Sequence, residues 1–271
     1  MVSSSISRRR VLWPAAIGVG LALAGTLVVV AFGITNATIA RSIPYEWETT
    51  VGDQLTQIVD LRSYECRSSP ATAALQRLAD RLASAASWDR ELHVHLINSP
   101  LPNAITLPGG HIVVFSALLD VARSGDEVAG VLGHEVGHVV HRHGMQQLTR
   151  GLGVALLASL GGGGGSMVSY GGQVWQLTYS REAELEADLF AITILQKIGL
   201  RSDGLKHFFE NLDTEDKDKS SSLQWLSTHP ATPDRIKALD DRTVPGGQAA
   251  FTAEQWKLLK VSCQSAKKFD P

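Results

Sequence analysis

Apolar residues recur along this chain in three rhythms, and each rhythm predicts a different element. The first is unbroken: residues 11–34 carry no charged side chain and follow Ser7-Arg8-Arg9-Arg10. A helix rises about 1.5 Å per residue, so a run of this length can cross a hydrocarbon core of about 30 Å. The second rhythm is helical. Leu75, Leu78, Ala79 and Leu82 fall on one face over residues 71–86, with Arg77, Asp80 and Arg81 on the other. Val128, Val131, Leu132 and Val136 stripe another helix that begins near Asp126, and Ser124 with Glu127 three residues on fits a capping box at its start. The third rhythm alternates. Leu92-His93-Val94-His95-Leu96 and residues 111–115 read as strands. Leu107-Pro108-Gly109-Gly110 is a turn signal, so Asn103-Ala104-Ile105-Thr106 and the strand after it predict a hairpin just ahead of the second helix.

The remaining stretches are less regular. Residues 41–69 mix polar side chains with Pro44, Trp47 and Gly52 and read as a short strand or two plus connector. Residues 151–160 are apolar but too short to span a bilayer, and the glycines at 161–165, 171 and 172 follow. That pattern predicts a mobile flap, with a passive loop as the alternative. A helical run covers residues 180–198. Residues 225–230 break the pattern, a helix starts at Arg235, and Trp256, Leu258 and Leu259 mark a last helix. The expected fold class is α+β and mainly helical, with a small β-sheet or hairpin, preceded by one transmembrane helix.

Composition narrows the setting. The 271 residues carry a formal net charge of −2, and a balance so near neutral argues against a nucleic-acid partner, which would call for a basic patch. Arg8, Arg9 and Arg10 favour a cytoplasmic tail at residues 1–10. Residues 11–34 then form a signal-anchor, 35–70 a linker, and 71–271 a domain on the far side, periplasmic or extracellular for a protein of the bacterial inner membrane. A cleaved signal peptide ending at Thr38-Ile39-Ala40, or a twin-arginine signal, is the alternative; the run is longer than the 7–15 residues of a usual signal core. Cys66 and Cys263 are the only cysteines and belong to no CxxC pair. In an oxidising compartment they can pair and staple the ends of the domain; two separate thiols are the alternative.

The chemistry concentrates in Gly133-His134-Glu135-Val136-Gly137-His138. Four residues apart on a helix, His134 and His138 share a face and can grip one Zn²⁺ at about 2.0–2.1 Å each. Glu135 can reach a water held there as general base. Two histidines leave a catalytic zinc site short of its third protein ligand. The metzincin spacing is absent, since His141 and Gly144 stand where it needs glycine and histidine, and His143 misses by one. His141 and His143 are therefore expected at the surface or behind the ligands. Downstream, Glu184 and Asp188 share a helix face, which allows Glu184 to bind zinc and Asp188 to orient a ligating histidine through its free N–H. His93 and His95 also share a face. A second metal site there is conceivable, but solvent-facing strand histidines are the plainer reading, with no carboxylate or cysteine nearby in sequence.

Together the motifs resemble a known family. Asn103-Ala104 with Pro108-Gly109-Gly110, His134-Glu135-x-x-His138, Ser180-Arg181 with Glu184-x-x-Ala187-Asp188, and Thr228-His229-Pro230 with Arg235-Ile236 occur in order across residues 71–239. The chain is similar to the gluzincin metallopeptidases that include the CAAX prenyl endopeptidases and the HtpX- and BepA-type proteases. The resemblance implies a zincin-type domain with one Zn²⁺ per chain on His134, His138 and Glu184, and Glu135 as catalytic base. It implies that Asn103 and Ala104 lie on a substrate-binding edge. Arg181 and Arg235 are expected behind the ligands, with Arg235 pairing with a carboxylate near the site or, alternatively, with substrate. It places His229 near the metal, either to stabilise the oxyanion or to close the fourth metal position. One candidate span rather than several points away from prenylated substrates. The expected activity is endoproteolysis of protein or peptide substrates in envelope quality control. The alternative is a zinc-stabilised holdase that binds misfolded proteins without cutting; an intact Glu135 argues against it. Oligomeric state is left open.

Overall fold

The structure is a computed structural model describing residues 36–58, 60–66, 70–152, 178–214, 222–263 and 266–268. The uncharged run at 11–34 and the glycine run at 161–165 lie outside these residues, and with them the expected anchor and flap. Among the described residues no helix is long and apolar enough to cross a membrane.

A small sheet separates two cores. Strands β1 (His93–Ile97), β2 (Ala104–Leu107) and β3 (His111–Phe115) lie in the order β1-β3-β2. The β1–β3 pair is parallel and the β2–β3 pair is the expected hairpin, antiparallel. Its turn, Pro108–Gly110, holds Gly109 and Gly110 at φ 75° and 86°, a left-handed backbone that glycine adopts without a Cβ clash. Side chains alternate across the sheet with period two. Ile112 and Val114 face a core with Leu75, Leu78 and Leu82 of α4 (Pro70–Ala85). Val113 and Phe115 face the other core, with Val51, Leu55 and Leu61.

That second core corrects the reading of residues 41–69 as strand and connector. They form α1 (Asn36–Ser42), α2 (Tyr45–Ile58) and α3 (Leu61–Tyr64), and Glu65 makes only an isolated bridge to Ile97. Val51 and Leu55 sit one helical turn apart, so burying both against the sheet favours helix over strand. Residues 225–228 also turn out helical, within α10 (Ser222–Thr228). Pro230 acts only on the residue before it, where it disfavours helical backbone.

A short helix, α5 (Ser116–Val121), leads into α6 (Gly125–Val140), the central helix. The Glu127 backbone N–H donates to Ser124 Oγ at 3.2 Å, capping α6 where expected. From Glu127 to Val139 every residue of α6 is buried. Beyond α7 (His143–Leu152) come α8 (Arg181–Lys197) and α9 (Gly204–Thr214), both packed on α6. A Cβ on Gly137 would lie 3.1 Å from Ala187 Cα, and one on Gly130 only 2.3 Å from the Leu205 backbone nitrogen. These small residues let α8 and α9 approach α6 closely. Helices α11 (Pro233–Arg242) and α12 (Ala253–Val261) complete the described chain, and a disulfide joins Cys66 to Cys263 with Cα atoms 4.9 Å apart.

Candidate metal centre and active site

The crossing of α6 and α8 brings His134, His138 and Glu184 together. His134 Nε2 and His138 Nε2 are 3.0 Å apart. Glu184 Oε2 lies 3.6 Å from the first and Oε1 lies 3.4 Å from the second. With one nitrogen of His229, these donor atoms all fall within 4.8 Å of one another, and all four residues are buried.

Hydrogen bonds behind the histidines decide which nitrogen is bare. His134 Nδ1 lies 2.9 Å from Asp188 Oδ1, and a carboxylate only accepts, so the proton sits on Nδ1. His143 Nε2 donates to Glu186 Oε2 at 3.1 Å, which leaves His143 Nδ1 to accept from His138 Nδ1 at 2.8 Å. Neither His134 nor His138 then carries a proton on Nε2. Two lone pairs and a carboxylate facing one point call for a cation. The donor set of two imidazoles and a carboxylate is one that zinc takes. Burial raises the Glu184 carboxyl, but the imidazoles of His229, His138 and His134 outweigh it and hold the group well below the usual carboxylate range.

Arg235 anchors this arrangement. It is buried and donates from Nε and Nη2 to the two oxygens of Asp188 at 2.6 and 2.8 Å. Its Nη1 lies 2.7 Å from Glu184 Oε2. Burial works to raise Asp188; the hydrogen bonds from Arg235 and His134 outweigh that and lower it. Arg181, the other arginine expected here, is exposed at the start of α8.

Glu135 projects from α6 toward the sheet. Its Oε2 accepts from Thr106 Oγ1 at 2.8 Å. Its Oε1 is buried without a hydrogen-bond partner, 3.7 Å from His229 Nε2. Burial raises the Glu135 carboxyl, against the opposing pull of His229 and His134. His229 follows α10 and stacks on Trp225, ring centroids 4.1 Å apart. Its Nδ1 donates to Glu184 at 3.1 Å and its Nε2 to the Ala104 carbonyl at 3.3 Å. Asn103 is buried beside Ala104, and its Oδ1 accepts from Ala104 N and from Thr228 Oγ1.

Of the two places open to His143, the structure takes the one behind the ligands: it is buried against His138 because Arg142 turns left-handed at φ 57° and swings the chain back. Arg142 is held there by Glu48, which accepts from its Nε at 2.6 Å. Tyr179 stacks on His138 at 3.9 Å and donates to the Thr106 carbonyl, and no motif flags it.

Comparison with known proteins agrees with this geometry. The profile described as Peptidase family M48 matches residues 69–243. The chain belongs to this family of zinc metallopeptidases. Among M48 relatives, it is 27% identical over 181 residues to the mitochondrial metalloendopeptidase OMA1 of Schizosaccharomyces pombe, covering 64% of this chain and 53% of that protein. It is 34% identical over 169 residues to the OMA1 of Arabidopsis thaliana, covering 58% and 32%. It is 29% identical over 187 residues to the beta-barrel assembly-enhancing protease of Yersinia pestis, covering 63% and 38%. In each case the chain spans less than two thirds of the relative's length. These relatives correct the expected location. Mitochondrial proteins match the M48 chain over as much of its length as bacterial ones, so the assignment to a bacterial inner membrane with a periplasmic or extracellular domain is overturned.

Proposed function

We propose that this chain is a zinc-dependent endopeptidase that hydrolyses peptide bonds within proteins, acting in envelope protein quality control. One juxtaposition carries the reading: a buried donor set suited to a cation, His134, His138 and Glu184, stands beside Glu135 Oε1, a buried carboxylate oxygen without a protein partner. Relatives named as metalloendopeptidase and as beta-barrel assembly-enhancing protease support the activity and the quality-control setting.

Zinc held by His134, His138 and Glu184 would polarise the scissile carbonyl and lower the pKa of a water at the same point. Glu135 takes the attacking water's proton at Oε1 and passes it to the leaving amine. Thr106 fixes the carboxylate by donating to Oε2. Asp188 and His143 keep the two ligating imidazoles in the tautomer that presents Nε2. The edge strand β2, with Asn103 and Ala104 at its start, receives the substrate backbone by strand addition once His229 and Tyr179 release the Ala104 and Thr106 carbonyls. His229 stabilises the oxyanion from its Nε2 side.

A second reading of His229 is favoured by one of its ring nitrogens lying within the donor cluster, where giving up the proton it shares with Glu184 would make it a fourth ligand, and by its Nε2 holding the Ala104 carbonyl. A fourth protein donor closes a zinc site. In that state His229 keeps the enzyme idle until residues 222–230 withdraw from β2.

Glu135→Gln tests the catalytic role. The variant keeps its zinc and loses casein cleavage by about 10²–10⁴-fold. Cleavage retained by the metal-loaded variant refutes the base. A wild-type protein that binds unfolded casein without chelator-sensitive cutting would favour the holdase.

A further inference from the structure

A second group of histidines lies on the sheet, sharing no residue with the first. His93 and His95 of β1 and His111 of β3 project from one face, into a cavity of about 570 Å³ that Asp53, Asp60 and Arg62 also line. His95 Nδ1 lies 2.7 Å from Glu65 Oε1, and His111 Nε2 lies 3.1 Å from Asp53 Oδ1. The two inner nitrogens, His95 Nε2 and His111 Nδ1, are 3.0 Å apart.

Counting protons makes this gap informative. Each ionised carboxylate accepts, so His95 carries its proton on Nδ1 and His111 carries its proton on Nε2. A neutral imidazole has only one. The inner nitrogens therefore face each other as two lone pairs, and something positive must lie between them. It is either an extra shared proton or a metal cation. The separation equals that between His134 Nε2 and His138 Nε2, where the donor set fits zinc. A third imidazole lies beside them. The His93 ring stacks on His111 with centroids 4.9 Å apart, its side chain is 40% exposed, and its Nε2 lies 3.9 Å from Glu91 Oε2, a surface contact it would give up to turn toward the pair. Both histidines of the pair already have a carboxylate partner of the kind that orients a metal-binding imidazole.

We propose that His95 and His111, completed by His93, bind a second divalent transition-metal cation of the Zn²⁺ or Ni²⁺ type, oriented by Glu65 and Asp53. Imidazole-rich donor sets suit those ions over Mg²⁺ or Ca²⁺. The carboxylates come from the segment after α3 and from α2, so a bound ion clamps the N-terminal helices onto the sheet. His111 is also the register partner of Leu107 in β2. The clamp thus bears on the hairpin whose Thr106 holds Glu135.

The test counts ions on the full chain. Metal-stripped protein is titrated with Zn²⁺ against a chromophoric chelator, and bound metal is measured by elemental mass spectrometry. Wild type takes up two equivalents. A His134→Ala/His138→Ala variant, lacking the first centre, still takes up one and gains thermal stability from it. Adding His95→Asn removes that equivalent, and Glu65→Gln weakens it about 10–100-fold. His93→Asn, at an exposed position, serves as a second probe should His95→Asn fail to fold, and weakens binding likewise. The proposal is overturned if the His134→Ala/His138→Ala protein binds no Zn²⁺, which leaves a shared proton in the gap. It is equally overturned if the bound equivalent ignores the His95, His93 and Glu65 substitutions.

Discussion

At the scale of single residues, Arg235 does most to make the centre possible. Three buried acidic side chains, Glu135, Glu184 and Asp188, crowd the ends of α6 and α8. Arg235 meets two of them directly, with a two-pronged bond to Asp188 and a contact to Glu184. Its guanidinium also lies over the Phe209 ring, 4.9 Å from the centroid. Arg235→Ala strands two buried carboxylates, so the metal-free protein should lose about 3–5 kcal/mol of stability in urea. Arg235→Lys should recover only part, because an ammonium cannot reproduce the planar fork. A loss under about 1 kcal/mol for Arg235→Ala would contradict this account. His134, His138 and Glu135 were legible in the sequence because one helix turn relates them. For His143 the sequence left the surface and a place behind the ligands both open, because its approach to His138 depends on a left-handed turn at Arg142 held by Glu48 from a distant helix. For the same reason His111 and Asp53 were invisible beside His95: the fold, not spacing, joins them.

At the scale of elements, α6 could be read from its cap and its apolar stripe. The helices α1 to α3 could not. The apolar face of α2 rests on few residues, and Gly52 within it lies against the hairpin turn, where a Cβ would meet the Pro108 carbonyl oxygen at 2.1 Å. Such a helix takes its stability from the sheet it covers rather than from its own pattern. The glycines of α6 show the same dependence on a partner. In an isolated helix Gly130→Ala should stabilise by about 1 kcal/mol. Here the new Cβ meets backbone of α9 at 2.3 Å, where no side chain can rotate away. Pushing α9 off α6 should cost about 1–3 kcal/mol and reverse the sign. Thermal or denaturant unfolding of Gly130→Ala decides it, and unchanged or raised stability would show that α9 yields freely.

At the scale of the whole molecule, the Cys66–Cys263 bridge spans a sequence separation of 197 and encloses both halves of the centre. The sequence offered the two cysteines but left their pairing open, because it depends on the last helix returning to the start of the domain. That return is visible in side-chain contacts. Lys260 Nζ of α12 donates to the carbonyls of Asp120 and Ala122, and Asn98 Nδ2 donates to the Ala266 carbonyl. The bridge therefore holds the C-terminal helix against the sheet and α5 without touching the ligands. Two effects separate on this basis. Closing so long a loop restricts the unfolded chain, so Cys66→Ser/Cys263→Ser should lower stability by about 2–5 kcal/mol. Zinc affinity at the His134 centre should stay within about twofold, since α6, α8 and Arg235 are positioned by packing and ion pairs of their own. Unfolding and zinc competition on the same double variant read both quantities. A large loss of affinity at full stability would mean that the bridge, rather than the α6–α8 crossing, sets the geometry of the centre.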